Sequence, residues 1–333
     1  FFGLLVWVHE LGHFITAKWL KMRVDEFAIG FGPKIISHKR GETLYSLRAI
    51  PLGGFNKIAG MDPDGPQDEH TFCAKPVWAR MLVILAGSAM NLLLPIILFC
   101  GIFWGNGIDY PSEKAVIGTL MKDKPAIEAG FMVGDHIQSV NGVAIENWKE
   151  FVLTVQKNAD NKLVMEVLRG GESITLAVTP IEDPKSKRGI IGIMPEMVIY
   201  KPGVYEGLEM AVGYTIRVSK AILTGIFQMI TGQIDADIAG PIGVAQMTGQ
   251  VAKEGLVPLA HFAAVLSINL GLINLLPVPV LDGGHMVTLA IEGIRRKPLS
   301  GRSLQIVQSI GLALMLMLFL LATFKDVSRL KLF

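Results

Sequence analysis

Cysteine is nearly missing from this chain: it has two, Cys73 in a polar stretch and Cys100 inside an apolar run. So placed, they predict no disulfide, and neither has the paired spacing of a thiolate metal site. Net charge is scarce as well. A formal charge of +2 over 333 residues leaves no basic footprint for nucleic acid, and no such partner is expected. The chain also lacks a starting methionine. It opens on Phe1 within an apolar stretch, which reads as a chain missing some native N-terminus, not as one bearing a cleavable signal peptide. Apolar surface, by contrast, is plentiful. Hydrophobic residues make up 51% and mean hydropathy is +0.46, above a soluble globular profile. A polytopic α-helical membrane protein, with the lipid bilayer as a partner, is expected.

Four segments approach the roughly 20 apolar residues that span a bilayer: residues 1–20, 81–105, 256–276 and 304–324. The third ends in Pro277-Val278-Pro279-Val280-Leu281-Asp282-Gly283-Gly284, where the prolines break the helix at mid-depth and a shorter apolar helix, 285–294, resumes. A weaker candidate, 211–230, carries Arg217 and Lys220 and suits an amphipathic interfacial helix better than a span. The plan that follows has transmembrane helices at 1–24, 79–108, 256–294 and 303–324, and interfacial helices over 203–253. Arg295, Arg296, Lys297 and Arg302 sit in one short loop without an acid, and Lys18, Lys21, Arg23, Lys75 and Arg80 flank the first loop. The positive-inside rule puts both loops in the cytoplasm and the long central segment outside.

The first apolar helix carries Val6-Trp7-Val8-His9-Glu10-Leu11-Gly12-His13-Phe14, a His-Glu-x-x-His motif. Histidines at i and i+4 lie on one helix face and reach a single metal. Glu10 between them is the residue type that takes a proton from water in metalloproteases. Ionisable groups at membrane depth are costly and therefore functional by default, so this triplet points to a zinc hydrolase within a bilayer. A chance motif with His9 and His13 as core histidines is the plainer alternative.

Two soluble-looking regions separate the apolar helices. In the first, 25–78, residues 27–36 and 43–50 alternate like strands of a membrane-associated β-hairpin. Gly30, Gly32, Gly53 and Gly54 punctuate it, and glycine in a strand often marks close approach of another backbone. Residues 61–70 are acidic and proline-rich and read as a solvated loop. The second region, 112–197, holds Pro125-Ala126-Ile127-Glu128-Ala129-Gly130-Phe131-Met132-Val133-Gly134-Asp135, then His136-Ile137-Gln138-Ser139-Val140-Asn141-Gly142. This string resembles an α+β PDZ core. A helix at 147–156 and strands at 162–169 and 172–179 about a Gly170-Gly171 turn are expected after it. Ile190-Ile191-Gly192-Ile193 resembles the carboxylate-binding loop of such domains, so Ile191, Gly192 and Ile193 are the expected groove for peptide C-termini.

A catalytic zinc needs a third protein ligand and an open position. Asp282 stands at the break in the third span, where irregular backbone is tolerated only if buried or lining a cavity. Two other readings stay open: Asp282 as a simple helix N-cap, and His285, one turn on, as the rival ligand. His38, His70 and His261 have no partner spacing, and His136 reads as a packed strand residue of the PDZ-like core.

His9-Glu10-Leu11-Gly12-His13, together with Asn269-Leu270-Gly271-Leu272-Ile273-Asn274-Leu275-Leu276-Pro277-Val278-Pro279-Val280-Leu281-Asp282-Gly283-Gly284-His285 and a PDZ-like string between them, resembles the site-2 protease family of intramembrane zinc metalloproteases, in its bacterial branch. The resemblance covers nearly the whole chain. It implies His9, His13 and Asp282 as ligands of Zn2+, Glu10 as the catalytic acid/base, and Asn269 and Asn274 as holding substrate or site. It also implies that the glycine-marked hairpin takes up substrate as an added strand. The implied activity is regulated intramembrane proteolysis in a bacterial inner membrane. Substrates would be single-span proteins such as anti-sigma factors already cut outside the membrane, and signal-peptide remnants. Two departures stand out: room for one PDZ domain where relatives carry two, and Ser88 where many members have proline. Neither is expected to touch the metal chemistry. The rival function from another class is a non-catalytic membrane PDZ receptor or scaffold with a structural metal.

Overall fold

A computed structural model describes residues 1–61, 68–184, 187–234, 240–297 and 299–329. The chain divides into two compact units, residues 1–103 with 203–333, and residues 104–202. The expected solvated loop at 61–70 lies mostly outside the described residues.

The first unit begins with α1 (Phe2–Trp19), β1 (Val24–Arg40), β2 (Thr43–Ile58) and α2 (Val77–Gly105). The two strands are longer than their sequence pattern suggests. Gly30, Gly32 and Gly53 adopt positive φ, a conformation open to glycine, and bend the strands where other residues would end them. Residues 26–29 consequently meet β2 twice: Phe27 pairs with Tyr45 on one side and with Asn56 on the other, while 34–40 folds back on 43–48. Two bent strands thus make a sheet four stretches wide. Phe27 meets Phe14 of α1 at a tilt and Tyr45 meets both rings edge-on, fixing the sheet on the motif helix. A small core of Ala17, Met22, Val24, Ile58, Ala79, Val83 and Leu289 extends this packing.

In the second unit, β3 (Ile108–Pro111), β4 (Ile117–Leu120), α3 (Pro125–Glu128), β5 (His136–Val140), β6 (Val143–Ala144), α4 (Trp148–Lys157), β7 (Leu163–Arg169), β8 (Glu172–Val178), β9 (Ile181–Glu182), β10 (Gly189–Ile190), β11 (Ile193–Pro195) and β12 (Met197–Tyr200) follow in order. One sheet runs β6-β5-β7-β8, while β4 pairs with β11 and β3 with β12. Asn141-Gly142 and Gly170-Gly171 all have positive φ, the chemistry of tight hairpin turns. Asn147 caps α4 by accepting from Glu150 N–H at 2.9 Å. The core gathers Ile117, Phe131, Ile137, Phe151, Leu163, Met165 and Val167. Asp135 is fully buried there and takes a bidentate bond from Arg169, Nε to Oδ1 at 2.7 Å and Nη2 to Oδ2 at 2.8 Å. Burial raises the cost of its charge, but the guanidinium and the Met132 N–H outweigh that and hold the carboxyl below its ordinary value.

The first unit resumes with α5 (Val204–Ile230), α6 (Pro241–Glu254), α7 (Leu256–Asn274), α8 (Asp282–Arg295) and α9 (Gly301–Arg329). Among the described residues, three helices are long and apolar enough to cross a membrane: Val77–Gly105, Leu256–Asn274 and the Leu304–Ser328 part of α9. α1 is not one of them. His9, Glu10, His13 and Lys18 dilute an 18-residue helix. The prolines do break the third apolar run: α7 stops at Asn274 and a tight turn leads into α8. Asp326 of α9 receives Gly240 N–H and Gly243 N–H, both at 2.9 Å, supplying from another helix the cap that the start of α6 lacks.

The basic residues flanking the first loop are less free than their count implies. Lys18 pairs with Glu42, Arg23 with Asp25, and Arg80 with Glu292 of α8 through two bonds of 2.6 and 3.1 Å. Arg80 is buried, so it is an internal tie between α2 and α8.

Candidate metal centre

His9 and His13 project from one face of α1, as the i, i+4 spacing requires, and both are buried. Their Nε2 atoms lie 3.1 Å apart. Oδ2 of Asp282, at the first turn of α8, stands 3.2 Å from Nε2 of His9 and 3.6 Å from Nε2 of His13. One donor atom from each of the three lies within 4.8 Å of the others. Asp282 is not the helix cap: that position belongs to Leu281, and no side-chain cap bond forms. Its carboxylate is left for the histidines.

Close backbone approach brings these pieces together. A Cβ on Gly12 would overlap the Ala86 carbonyl, so α1 and α2 cross with nothing between them. A Cβ on Gly87 would overlap the His13 ring and lie 2.8 Å from His9 Cε1. Gly283 and Gly284 let the first turn of α8 slip beneath the carbonyls of Leu275, Leu276 and Val278. The turn before it bends at Val280, whose φ of 80° is strained for a β-branched residue.

The far ring nitrogens are held as well. Nδ1 of His13 lies 2.7 Å from the Val83 carbonyl, which can only accept, so Nδ1 carries the proton and Nε2 offers a lone pair. Nδ1 of His9 lies 3.2 Å from the Asn91 carboxamide, itself buried and braced by Ser267 Oγ donating to the Asn91 carbonyl at 2.8 Å. The atom facing Nδ1 is Asn91 Nδ2, with Oδ1 buried and unpartnered; turning the carboxamide over satisfies Oδ1 with His9 Nδ1–H and leaves Nε2 facing the centre. Two imidazole nitrogens and a carboxylate oxygen, in a hollow that a Cβ on Gly87 would fill, make a donor set that suits zinc.

Around these atoms lies a cavity of about 250 Å³, lined by His9, Glu10, His13, Asn56, Ile58, Met61, Ile84, Asn274, Val280, Leu281, Asp282 and His285. Glu10 thus opens onto the ligands' space. His285 lines it but is not part of the ligand cluster. Asn274 joins the site, its Nδ2 3.4 Å from His9 Nε2. Asn269 is not among the lining residues: five positions along a helix turn it well away from Asn274. Of the four glycines, Gly54 comes nearest, with a Cβ there lying 3.8 Å from Glu10 Cγ, and Gly53 packs on Val6 and Phe31. Gly30 and Gly32 approach Ile50.

Ser88, expected to stand apart from the metal chemistry, touches one of the candidate ligands. It is fully buried and donates to Asp282 Oδ2 at 3.3 Å. No sequence pattern marks Gly87 or Asn91 for this site, although Asn91 is a polar interruption in an apolar span.

In the second unit the side chains of the expected groove residues have packing contacts. Ile191 is a core residue, 2% exposed, and its carbonyl accepts from Ala126 N–H. Gly192 sits at positive φ against Lys124, and Ile193 pairs with Leu120. These three residues are thus largely committed to packing. The unit's cavity, about 820 Å³, lies along α4, between Trp148, Val152 and Leu153 and residues 110–113.

A model of the family described as Peptidase family M50 matches residues 1–318. The chain belongs to peptidase family M50. The regulator of sigma-W protease RasP from Bacillus subtilis is 33% identical, with 99% of this chain and 97% of that protein covered. A putative zinc metalloprotease of Clostridium acetobutylicum is 34% identical over 98% of this chain and 95% of its own. One from Agrobacterium fabrum is 33% identical over 98% and 94%. Among solved structures, the PDZ domain of an SdrC-like protein from Listeria monocytogenes covers 26% of this chain and 90% of its own at 19% identity, with a TM-score of 0.22. As an M50 peptidase the chain is a zinc metalloprotease with membrane-spanning helices.

Proposed function

We propose that this M50 peptidase cuts single-span membrane proteins within or beside their transmembrane helix, with His9, His13 and Asp282 holding zinc and Glu10 moving the protons. The observation that carries this reading is the convergence of the three donor atoms and Glu10 on one cavity formed between apolar helices. When bound, zinc supplies a Lewis acid that polarises the scissile carbonyl and acidifies water. Glu10 takes the proton from the attacking water and hands it to the departing amine. A helical substrate hides its carbonyls in its own hydrogen bonds and must unwind before attack. The stretch 54–57 of β2, paired on one side with 26–29 and close to Glu10, offers strand bonds in exchange. Asn274, already at the site, is the carboxamide placed to hold an unwound substrate, while Gly30, Gly32 and Gly53 shape the bent sheet that presents this edge.

The finer reading has four spans, α1 included, crossing a bacterial cytoplasmic membrane. Its β region lies in the cytoplasm and residues 104–202 form a PDZ domain outside. Outward-facing substrates trimmed by an earlier cut, of the anti-sigma-factor kind, fit this layout, as do signal-peptide remnants. The domain's free C-terminus ligands would lie along α4, with the Ile191–Ile193 backbone at the groove's end. Comparing membrane proteomes with wild type and Glu10→Gln tests the proposal: shortened single-span proteins should disappear in the variant, and identical proteomes would refute it.

A further inference from the structure

His285 is the one titratable side chain lining the active-site cavity that the mechanism above does not use. It stands three residues after Asp282, on the same face of α8's first turns, so the geometry that aims Asp282 at the histidines also aims His285 into the cavity. Its ring is half-buried, and among the described residues neither ring nitrogen has a hydrogen-bond or ion-pair partner. The contrast with the chain's other cavity histidines is sharp. His9 and His13 have both nitrogens engaged, whereas an imidazole left half out of water without a partner forfeits hydrogen bonds worth about 1 kcal/mol each. Two explanations would make the ring structural: a fourth ligand, or packing. Against the first, its nitrogens fall outside the cluster that His9, His13 and Asp282 form. Against the second, it faces a hollow rather than the core around Leu289.

We infer that His285 is a further catalytic residue of this peptidase, donating a ring N–H to the carbonyl oxygen of the peptide bond being cut. This rests on the proteolytic reading above. Glu10 lines the cavity from α1 and His285 from α8, so a peptide threaded between them has a base at the attacking water and a donor at the carbonyl. The neutral imidazole suffices, and the donated bond strengthens as the oxygen gains charge, which lowers the barrier more than it tightens binding.

The test uses the full chain in detergent with a transmembrane-peptide substrate, comparing wild type, Glu10→Gln, His285→Ala and His285→Gln. His285→Ala should lower kcat by roughly 30–300-fold, the range for one lost donor to a developing oxyanion, with KM changed less than threefold. Zinc content and thermal midpoint should match wild type. His285→Gln, which keeps an N–H, should recover at least a third of the lost logarithm of kcat. Zinc loss in His285→Ala would make it a ligand, a lowered midpoint with no rescue by Gln would make it packing, and unchanged kcat would make it a bystander. Each overturns the proposal. A wild type as inert as Glu10→Gln would instead sink the proteolytic reading itself.

Discussion

The carboxamide of Asn91, on α2, meets Nδ1 of His9, on α1, at 3.2 Å within a region closed to solvent. A proposed metal ligand is thereby oriented by the neighbouring apolar helix. Partners of this kind commonly change metal affinity about 10–100-fold when removed. Asn91→Leu, which fills the space without leaving a new polar group, should lower zinc affinity within that range while leaving the fold intact. Competition against a graded series of chelators reads it out, and an affinity equal to wild type would show that His9 needs no such brace.

Gly87→Ala should be more severe than its size suggests. The added methyl overlaps the His13 ring, and α1 and α2 can make room only by giving up the close approach of Gly12 to Ala86. We expect purified Gly87→Ala to carry less than a tenth of the wild-type zinc and to show no cleavage. Full metal content in this variant would mean that the helices part more easily than their contact implies.

Glu10→Gln and Asp282→Ala should separate metal binding from chemistry. Glu10 lines the cavity without belonging to the donor cluster, so Glu10→Gln keeps its zinc and loses cleavage. Asp282→Ala removes one of three donors and should lose both. Elemental analysis alongside a cleavage assay distinguishes them, and equal zinc in the two variants would contradict the assignment.

The Asp135–Arg169 pair makes a pH prediction for the second unit. Its carboxyl is held below the ordinary value of 3.8, so the stability it contributes is fully present above about pH 4 and declines as pH falls below that. Arg169→Leu leaves the buried carboxylate with only the Met132 N–H and should lower the unit's thermal midpoint at pH 7. Without the guanidinium, burial dominates and the sign reverses: the variant should become more stable as pH drops through 5. Calorimetry from pH 3 to 7 would show opposite slopes, and parallel curves would refute the account.

Removing 112–196 and bridging the gap with a flexible linker should leave zinc binding unchanged and permit cleavage of untrimmed substrates, if that unit gates entry by size. Loss of cleavage of trimmed substrates as well, with the helices still folded, would make it a docking site.

Much of this centre could be read in the sequence because expensive residues leave a mark. His9, Glu10 and His13 interrupt an apolar helix, Asp282 follows a proline break, and the Asn141-Gly142 and Gly170-Gly171 turns announce their hairpins. What stayed hidden depends on which faces meet. Nothing local in Ala86-Gly87-Ser88 says that Gly87 will lie under imidazoles or that Ser88 will reach Asp282. Only the crossing of α1, α2 and α8 gives them those roles. Likewise Asn269 and Asn274 look equivalent along the chain, and the helical turn between them sends one to His9 and the other elsewhere. The strand ends at 24–40 and 43–58 were underestimated because glycines that normally end strands here bend them.

The donor set draws on opposite ends of the polypeptide, His9 and His13 from the first helix and Asp282 from the eighth. A ribosome that has made only the first two thirds of the chain has produced two of the three proposed ligands and the proposed general base, without the third ligand. If Asp282 is the third ligand, the nascent protein should be unable to attack its neighbours until α7 and the turn behind it have formed. With the proposed ligand set, latency during synthesis follows from the order of the helices.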